Sequence, residues 1–109
     1  MKSICTTNEY GTKRWHVQDL LHREEGPAIE YPNGTKYWFI NDHIHREDGP
    51  AIEWSDGSKE WYLNGKLHRE DGPACEWSDG TKRWFYHVKK IDCKDNQEFL
   101  RMLKIKIFL

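Results

Sequence analysis

The chain repeats one block, His45-Arg46-Glu47-Asp48-Gly49-Pro50-Ala51-Ile52-Glu53-Trp54-Ser55-Asp56-Gly57. Closely related blocks begin at His22 and His68, so that successive copies start 23 residues apart. A constant period of roughly 20–50 residues is the signature of a repeat architecture. The sequence therefore predicts a fold built from copies of one small unit.

The composition excludes several classes of protein. The net charge of −1 over 109 residues gives no general attraction to nucleic acid or to an anionic membrane. Three cysteines at distant positions argue against a disulfide framework, and Cys75 takes the place of Ile29 and Ile52 as a small buried apolar residue. No stretch is apolar enough to span a bilayer, and residues 1–7 lack the apolar core of a signal peptide. We expect a cytoplasmic protein with no membrane partner.

The repeat contains two turn signals separated by short β-branched and aromatic runs. Asn64-Gly65 is a strong signal for a two-residue hairpin turn, and Asp56-Gly57 marks a second turn in the same unit. The Gly49-Pro50 pair is expected to kink the chain, with the glycine at positive φ. These features predict a mainly β fold, a single antiparallel meander of 23-residue repeats with about two strands in each. Tryptophan recurs in every unit, at Trp15, Trp38, Trp61 and Trp84.

The length of the second turn determines which residues share a face of the sheet. A two-residue Asp56-Gly57 turn places Ile52, Trp54, Trp61 and Leu63 on one apolar face. A three-residue loop would instead pair Glu53 with Lys59 and divide the apolar residues between the two faces. Burial of a large apolar side chain contributes about 1.5–3 kcal/mol, whereas an exposed ion pair contributes less than about 1 kcal/mol. We therefore predict the two-residue turn.

The two ends of the chain differ from the repeats. Residues 1–10 are predicted to be an N-terminal cap, residues 11–91 the repeat sheet of three full units and one partial unit, and residues 92–109 a C-terminal capping helix and tail. Asp95 and Glu98 have capping-box spacing, and Phe99, Leu100, Leu103 and Ile107 share a helical stripe, which predicts a helix at 95–104. The tail at 104–109 alternates with period two, so that helix and strand both stay open. Because a helix of about 18 Å cannot cover a sheet about 35 Å wide, either the sheet curls or a homodimer covers the remainder.

The repeated block has a family resemblance. Together with Trp61-Tyr62-Leu63-Asn64-Gly65-Lys66, it resembles the variant form of the MORN repeat, and more closely the repeats of uncharacterised proteins from tailed phages and giant DNA viruses. The resemblance covers residues 11–87, and the segment at 98–100 is also similar. It implies an open β-meander used for binding and a virus-encoded protein located in the cytoplasm of a host cell. The units lack the abundant Tyr-x-Gly of ordinary MORN repeats, so that the lipid-binding roles of that group do not transfer.

The polar residues of the repeat show no pattern of catalysis or metal binding. His22, His45 and His68 could form a ladder of metal ligands, but an arginine follows each of them and no short Cys/His spacing of a zinc site occurs. A catalytic site needs one asymmetric set of nucleophile, base and orienting group, whereas these side chains recur identically. We therefore expect structural histidines, ion pairs among the repeated charges, no cofactor, no metal and no enzymatic activity.

Positions that differ between units are free to recognise a specific partner. We place eight of them on the face opposite the tryptophans, and Tyr and Arg are frequent at binding hot spots. The main expectation is a non-catalytic interaction protein that binds, and can inhibit, a host protein such as a defence factor. The alternatives are sequestration of a small nucleotide or single-stranded nucleic acid by aromatic stacking, a structural virion component, or merely a second packed face. The eight residues are Arg14, His16, Tyr37, Phe39, Glu60, Tyr62, Arg83 and Phe85.

Overall fold

The computed structural model describes residues 2–105 of the chain. They form fourteen short strands followed by one helix. The strands are β1 (Ile4–Thr7), β2 (Lys13–Val17), β3 (Leu20–Leu21), β4 (Ile29–Glu30), β5 (Lys36–Tyr37), β6 (Phe39–Ile40), β7 (His43–Ile44), β8 (Ile52–Glu53), β9 (Lys59–Glu60), β10 (Tyr62–Leu63), β11 (Lys66–Leu67), β12 (Cys75–Glu76), β13 (Lys82–Tyr86) and β14 (Lys89–Ile91), and the helix is α1 (Asn96–Ile105).

The predicted mainly β fold with a C-terminal helix is confirmed. One antiparallel sheet of ten strands runs in the order β1-β2-β4-β5-β8-β9-β12-β13-β14, with β3 paired beside β2. The hairpins β6-β7 and β10-β11 lie alongside it, so that each middle unit contributes two sheet strands and one side hairpin. The described residues measure 48 × 30 × 17 Å, the shape of a long thin slab. Within residues 2–105, no helix has the length and apolar character needed to cross a membrane.

The predicted two-residue turn at Asp56-Gly57 is wrong. Glu53 pairs with Lys59, and Trp54 donates its N–H to the carbonyl of Ser58 at 2.9 Å, which leaves a three-residue loop. Only Gly57 in this loop has a positive φ, 92°, as a three-residue hairpin loop requires. The side chain of Asp56 accepts the N–H of Ser58 at 2.8 Å, so that the loop satisfies its own backbone.

The change of register divides the apolar residues between two faces. Ile52 lies beside Glu60 rather than Trp61, and Trp54 points to the same side as Ile52, because alternate residues of a strand share a face. Ile52 and Trp61 therefore lie on opposite sides of the sheet, contrary to our prediction. The four tryptophans Trp15, Trp38, Trp61 and Trp84 do share one face.

The other hairpin turn follows the prediction. Asn64 and Gly65 both have positive φ, 50° and 79°, and connect the pair Leu63 and Lys66. The fourth unit also keeps this hairpin, although its turn residues are His87 and Val88, at φ 50° and 73°. A β-branched valine rarely adopts positive φ, which is why the sequence alone gave no turn signal there.

The glycine of the Gly-Pro pair has a different role from the one predicted. Gly26, Gly49 and Gly72 do not have positive φ. A Cβ atom at Gly49 would instead lie 2.9 Å from the guanidinium carbon of Arg46, closer than real contacts allow. The glycine therefore leaves room for an arginine that folds back over it.

The helix covers the last tryptophan. Asp95 caps it by accepting the N–H of Glu98 at 2.8 Å, and Phe99 is fully buried against Trp84 and Ile91. Leu100, predicted on the buried stripe, is 45% exposed, because it points away from this cluster. Of the tail at 104–109, residues 104 and 105 continue the helix, whereas Ile107 and the rest of 106–109 lie outside the described residues.

Candidate partner-binding face

One face of the sheet is occupied by repeated arginines, and we call it the arginine face. The guanidinium carbons of Arg23, Arg46 and Arg69 lie 3.9, 4.0 and 3.8 Å from the ring centroids of Trp15, Trp38 and Trp61. Each arginine also donates to the carbonyl of the following proline and to the glutamate of its own block, as Arg46 does to Pro50 at 3.0 Å and to Glu53 at 3.1 Å. Arg46 and Arg69 therefore each form an ion pair with a glutamate of their own unit.

The repeated histidines connect neighbouring units. Nδ1 of His45 accepts the backbone N–H of Asn64 at 2.9 Å, and Nδ1 of His68 accepts that of His87 at 2.8 Å. His22 makes the equivalent bond to Asn41 at 3.0 Å. The ring nitrogen therefore acts as an acceptor that holds the next hairpin turn. No cluster of three metal-binding side chains occurs within the described range, residues 2–105.

A row of alternating charges crosses the arginine face. Neighbouring strands place lysine opposite glutamate at every step of this row. Opposite charges across adjacent strands stabilise one register over its neighbours. In order across the sheet, the row is Lys13, Glu30, Lys36, Glu53, Lys59, Glu76 and Lys82.

The opposite face carries the eight residues that we predicted to bind a partner, and we call it the variable face. Arg14, Tyr37, Glu60 and Arg83 lie in one row across the sheet, separated by Ile29, Ile52 and Cys75. The second row stands two residues further along each chain segment. It consists of His16, Phe39, Tyr62 and Phe85.

Several of the variable residues contact each other or a neighbouring aromatic ring. The rings of Tyr37 and Phe39 stack with centroids 6.4 Å apart, and Tyr31 meets Tyr37 edge to face at 5.5 Å. The carboxylate of Glu60 accepts the hydroxyl of Tyr62 at 2.7 Å and the indole N–H of Trp77 at 2.9 Å. Glu60 therefore orients two aromatic rings.

Sequence reasoning missed three aromatic residues of this face. Tyr31, Trp54 and Trp77 occupy equivalent positions and lie on the variable side, whereas Trp54 was assigned to the other face through the wrong turn length. The signal that could have identified them is the loop glycine, such as Gly57, because a glycine at positive φ fits a three-residue turn as well as a two-residue one.

The variable face is more open than a packed core. Of the eight variable residues, Arg83 is exposed and the other seven are partly exposed. The helix packs on the opposite side of the sheet, against Trp84. Burial, followed by the nearby Glu60 carboxylate, raises the pKa of the Cys75 thiol to about 12, so that this cysteine stays protonated and unreactive. Burial and the hydrogen bond to Glu60 also raise the pKa of Tyr62, which keeps its hydroxyl a donor.

Comparison with known proteins gives no assignment. No protein-family model matches the chain, no curated protein matches it, and no solved structure matches it.

Proposed function

We propose that the protein is a non-catalytic interaction protein that binds a partner protein on its variable face. The observation that supports this proposal is that the repeated and the variable side chains lie on opposite faces of the sheet. Side chains repeated in every unit, such as Arg46 and Trp38, contact each other on the arginine face, and His45 connects units. Side chains that differ between units meet on the other face, where seven of the eight are partly exposed and Arg83 is exposed.

The chemistry of the variable face supports a partner with a complementary surface. Arg14 and Arg83 stand at its two ends, about 29 Å apart over six strand spacings. Half-buried aromatic rings lie between them, and aromatic residues and arginine dominate the energetics of protein interfaces. The complementary surface has an apolar centre flanked by acidic side chains. In keeping with the resemblance to viral repeat proteins, we propose a host protein as this partner and inhibition of it as the outcome.

Adjacent residues on opposite faces provide a matched test. Tyr37→Ala with Arg83→Ala changes the variable face, whereas Lys36→Ala with Lys82→Ala changes the arginine face one residue away in each case. Both variants and the unmodified protein are used to purify partners from host lysate, which are then identified by mass spectrometry and remeasured with purified components. We expect one partner to be retained by the lysine variant and bound at least tenfold more weakly by the variable-face variant, since hot-spot truncations cost upwards of about 1–2 kcal/mol.

Two results would contradict the proposal. Equal recovery of every partner by both variants would remove the variable face from binding. A rise in melting temperature with a nucleotide, abolished by Tyr37→Ala and Arg83→Ala, would favour the alternative of nucleotide sequestration, because a ligand at 100 times its dissociation constant adds about 2.7 kcal/mol of stability.

A further inference from the structure

The first strand forms an open edge of the sheet. β1 stands at one end of the strand order, so its outer side has no neighbouring strand within residues 2–105. All four of its residues are exposed, and Ile4 is 71% exposed. Two further exposed large apolar residues, Tyr10 and Leu20, belong to the same end of the chain. An unpaired edge with few charges is a template for pairing with another strand.

The hydrogen bonds of β2 determine which of its backbone groups face β1. The N–H of Trp15 donates to the carbonyl of Ala28 at 2.8 Å, and the carbonyl of Trp15 accepts from His22 at 3.0 Å. Both bonds point away from β1. Because peptide groups alternate in direction along a strand, the groups of Arg14 and His16 point toward β1.

The outward groups of β1 follow from this pairing. Thr6 pairs with Arg14 and Ile4 with His16, so the peptide groups of Thr6 and Ile4 are used inside the sheet. The next residue of the same parity, Asn8, likewise donates inward, to Thr12 at 3.1 Å. The N–H and C=O groups of Ser3, Cys5 and Thr7 consequently face outward.

We propose that a second copy of the chain pairs with this edge, antiparallel, about a two-fold axis at Cys5. Only outward-facing residues can form hydrogen-bonded pairs across such an edge, and Cys5 is the centre of the three. In this register Cys5 meets the partner's Cys5, Ser3 meets the partner's Thr7, and Thr7 meets the partner's Ser3. Every outward donor and acceptor of these residues is then paired, with none left over on either copy.

The side chains of β1 suit a second copy. The segment 3–7 carries no charge, so that two copies bring no like charges together. Ile4 would lie opposite the partner's Thr6 in a non-hydrogen-bonded pair, whose Cα atoms are about 4.5 Å apart. This contact would cover part of the exposed Ile4 side chain. The strand at the other end of the sheet, β14, carries Lys89 and Lys90, and edge lysines oppose pairing. The contact is therefore closed and gives a dimer rather than a filament.

This inference goes beyond the proposed function, because it concerns a different surface. Paired residues of antiparallel strands point to the same face, so the two variable faces of the dimer lie on one side of a continuous sheet of twenty strands. A partner with two equivalent sites would then be bound with higher avidity than one site provides.

The orientation of the peptide groups provides a specific test. The N–H of Cys5 faces outward, so Cys5→Pro removes no hydrogen bond within one copy but removes two across the proposed axis. Sedimentation equilibrium should give twice the 13.1 kDa mass of one chain for the unmodified protein and for Cys5→Ser. For Cys5→Pro we expect a folded protein whose dimer dissociation constant is roughly 30-fold higher.

A second variant and a cross-linking experiment complete the test. Cys5→Lys, which places two ammonium groups at the axis, should give a folded monomer, and this variant tests the proposal if Cys5→Pro does not fold. A short bis-maleimide should cross-link the unmodified protein into dimers but not Cys5→Ser, which retains Cys75 and Cys93. A mass of 13.1 kDa at every concentration, or a dimer that persists in Cys5→Lys, would overturn the proposal.

Discussion

The guanidinium carbon of Arg46 lies over the indole ring of Trp38, 4.0 Å from its centroid. The arginine reaches this ring by folding back over Gly49, and it also holds the carboxylate of Glu53 at 3.1 Å. A thin sheet has no second layer to cover its tryptophans. In this protein a repeated arginine covers each of Trp15, Trp38 and Trp61, and the helix packs against Trp84.

We predict that Arg46→Ala lowers the free energy of unfolding by about 2 kcal/mol, because it removes the cation–π contact and hydrogen bonds to a partly buried carboxylate. Chemical denaturation monitored by tryptophan fluorescence measures this change. Arg83→Ala is the control, since Arg83 is exposed and lies 5.8 Å from the centroid of the Trp77 ring. Its effect should stay below about 0.5 kcal/mol. Equal losses in the two variants would contradict a special role for the stacked arginine.

Gly49→Ala should destabilise the protein through Arg46 rather than through its own backbone. The added Cβ would lie 2.9 Å from the guanidinium carbon and displace it from Trp38. We expect a loss of about 1 kcal/mol in the unmodified protein and almost none when Arg46 is already alanine. A double-mutant cycle of unfolding free energies measures this coupling. Additive effects of the two substitutions would show that the glycine is required for another reason.

Acid should weaken the junction between the third and fourth units. Burial lowers the pKa of His68 below its usual 6.5, the neighbouring His87 lowers it further, and Glu70 acts in the opposite direction. The folded state therefore prefers neutral His68, whose Nδ1 accepts the N–H of His87. This contribution is complete above 6.5 and is lost as the pH falls from 6.5 through the lower pKa of the folded state.

The measurement for His68 is the unfolding free energy at about pH 7.5 and at about pH 5. We expect the unmodified protein to lose more stability between these values than His68→Gln, which has no titrating ring at this position. An identical decrease in the two proteins would assign the effect of acid to other groups.

Phe99 should make the largest single contribution to the packing of the helix on the sheet. Phe99 is fully buried against Trp84 and Ile91, so that Phe99→Ala should cost about 3–5 kcal/mol and release the cap from the sheet. Leu100→Ala, the next residue, should cost less than about 1 kcal/mol because Leu100 is 45% exposed. Thermal unfolding followed by circular dichroism compares the two. Equal losses would mean that the helix packs through a different stripe.

The period of the sequence was sufficient to predict the architecture. A hairpin dipeptide such as Asn64-Gly65 has one preferred backbone geometry, and a capping residue such as Asp95 marks a helix start. These local rules do not depend on contacts with distant parts of the chain. The mainly β repeat, the Asn64-Gly65 turn and the helix start could therefore be predicted from local sequence, whereas the prediction of about two strands per unit missed the two further strands of each side hairpin.

The register could not be predicted, because it depends on contacts across the sheet. The prediction compared burial of Ile52 and Trp61 on one face with an exposed pair of Glu53 and Lys59. It omitted the covering of Trp61 by Arg69 at 3.8 Å, which removes the penalty for placing the tryptophan on a face without an apolar layer. Arg69 is eight residues from Trp61 along the chain, and no periodic pattern indicates that contact. The aromatic part of the candidate site at Trp54 and Trp77 was missed for the same reason.

The histidine bonds have an implication for how such a chain can change in length. The arginine and glutamate of each unit contact each other within that unit, and its histidine bonds to the next unit, as His45 does to the turn at Asn64. Excising or duplicating 23 residues would join equivalent boundaries, at which each histidine again meets a hairpin turn of the following unit. A chain with one more unit would then carry one more set of variable side chains, so that the variable face can grow by whole units on an unchanged scaffold.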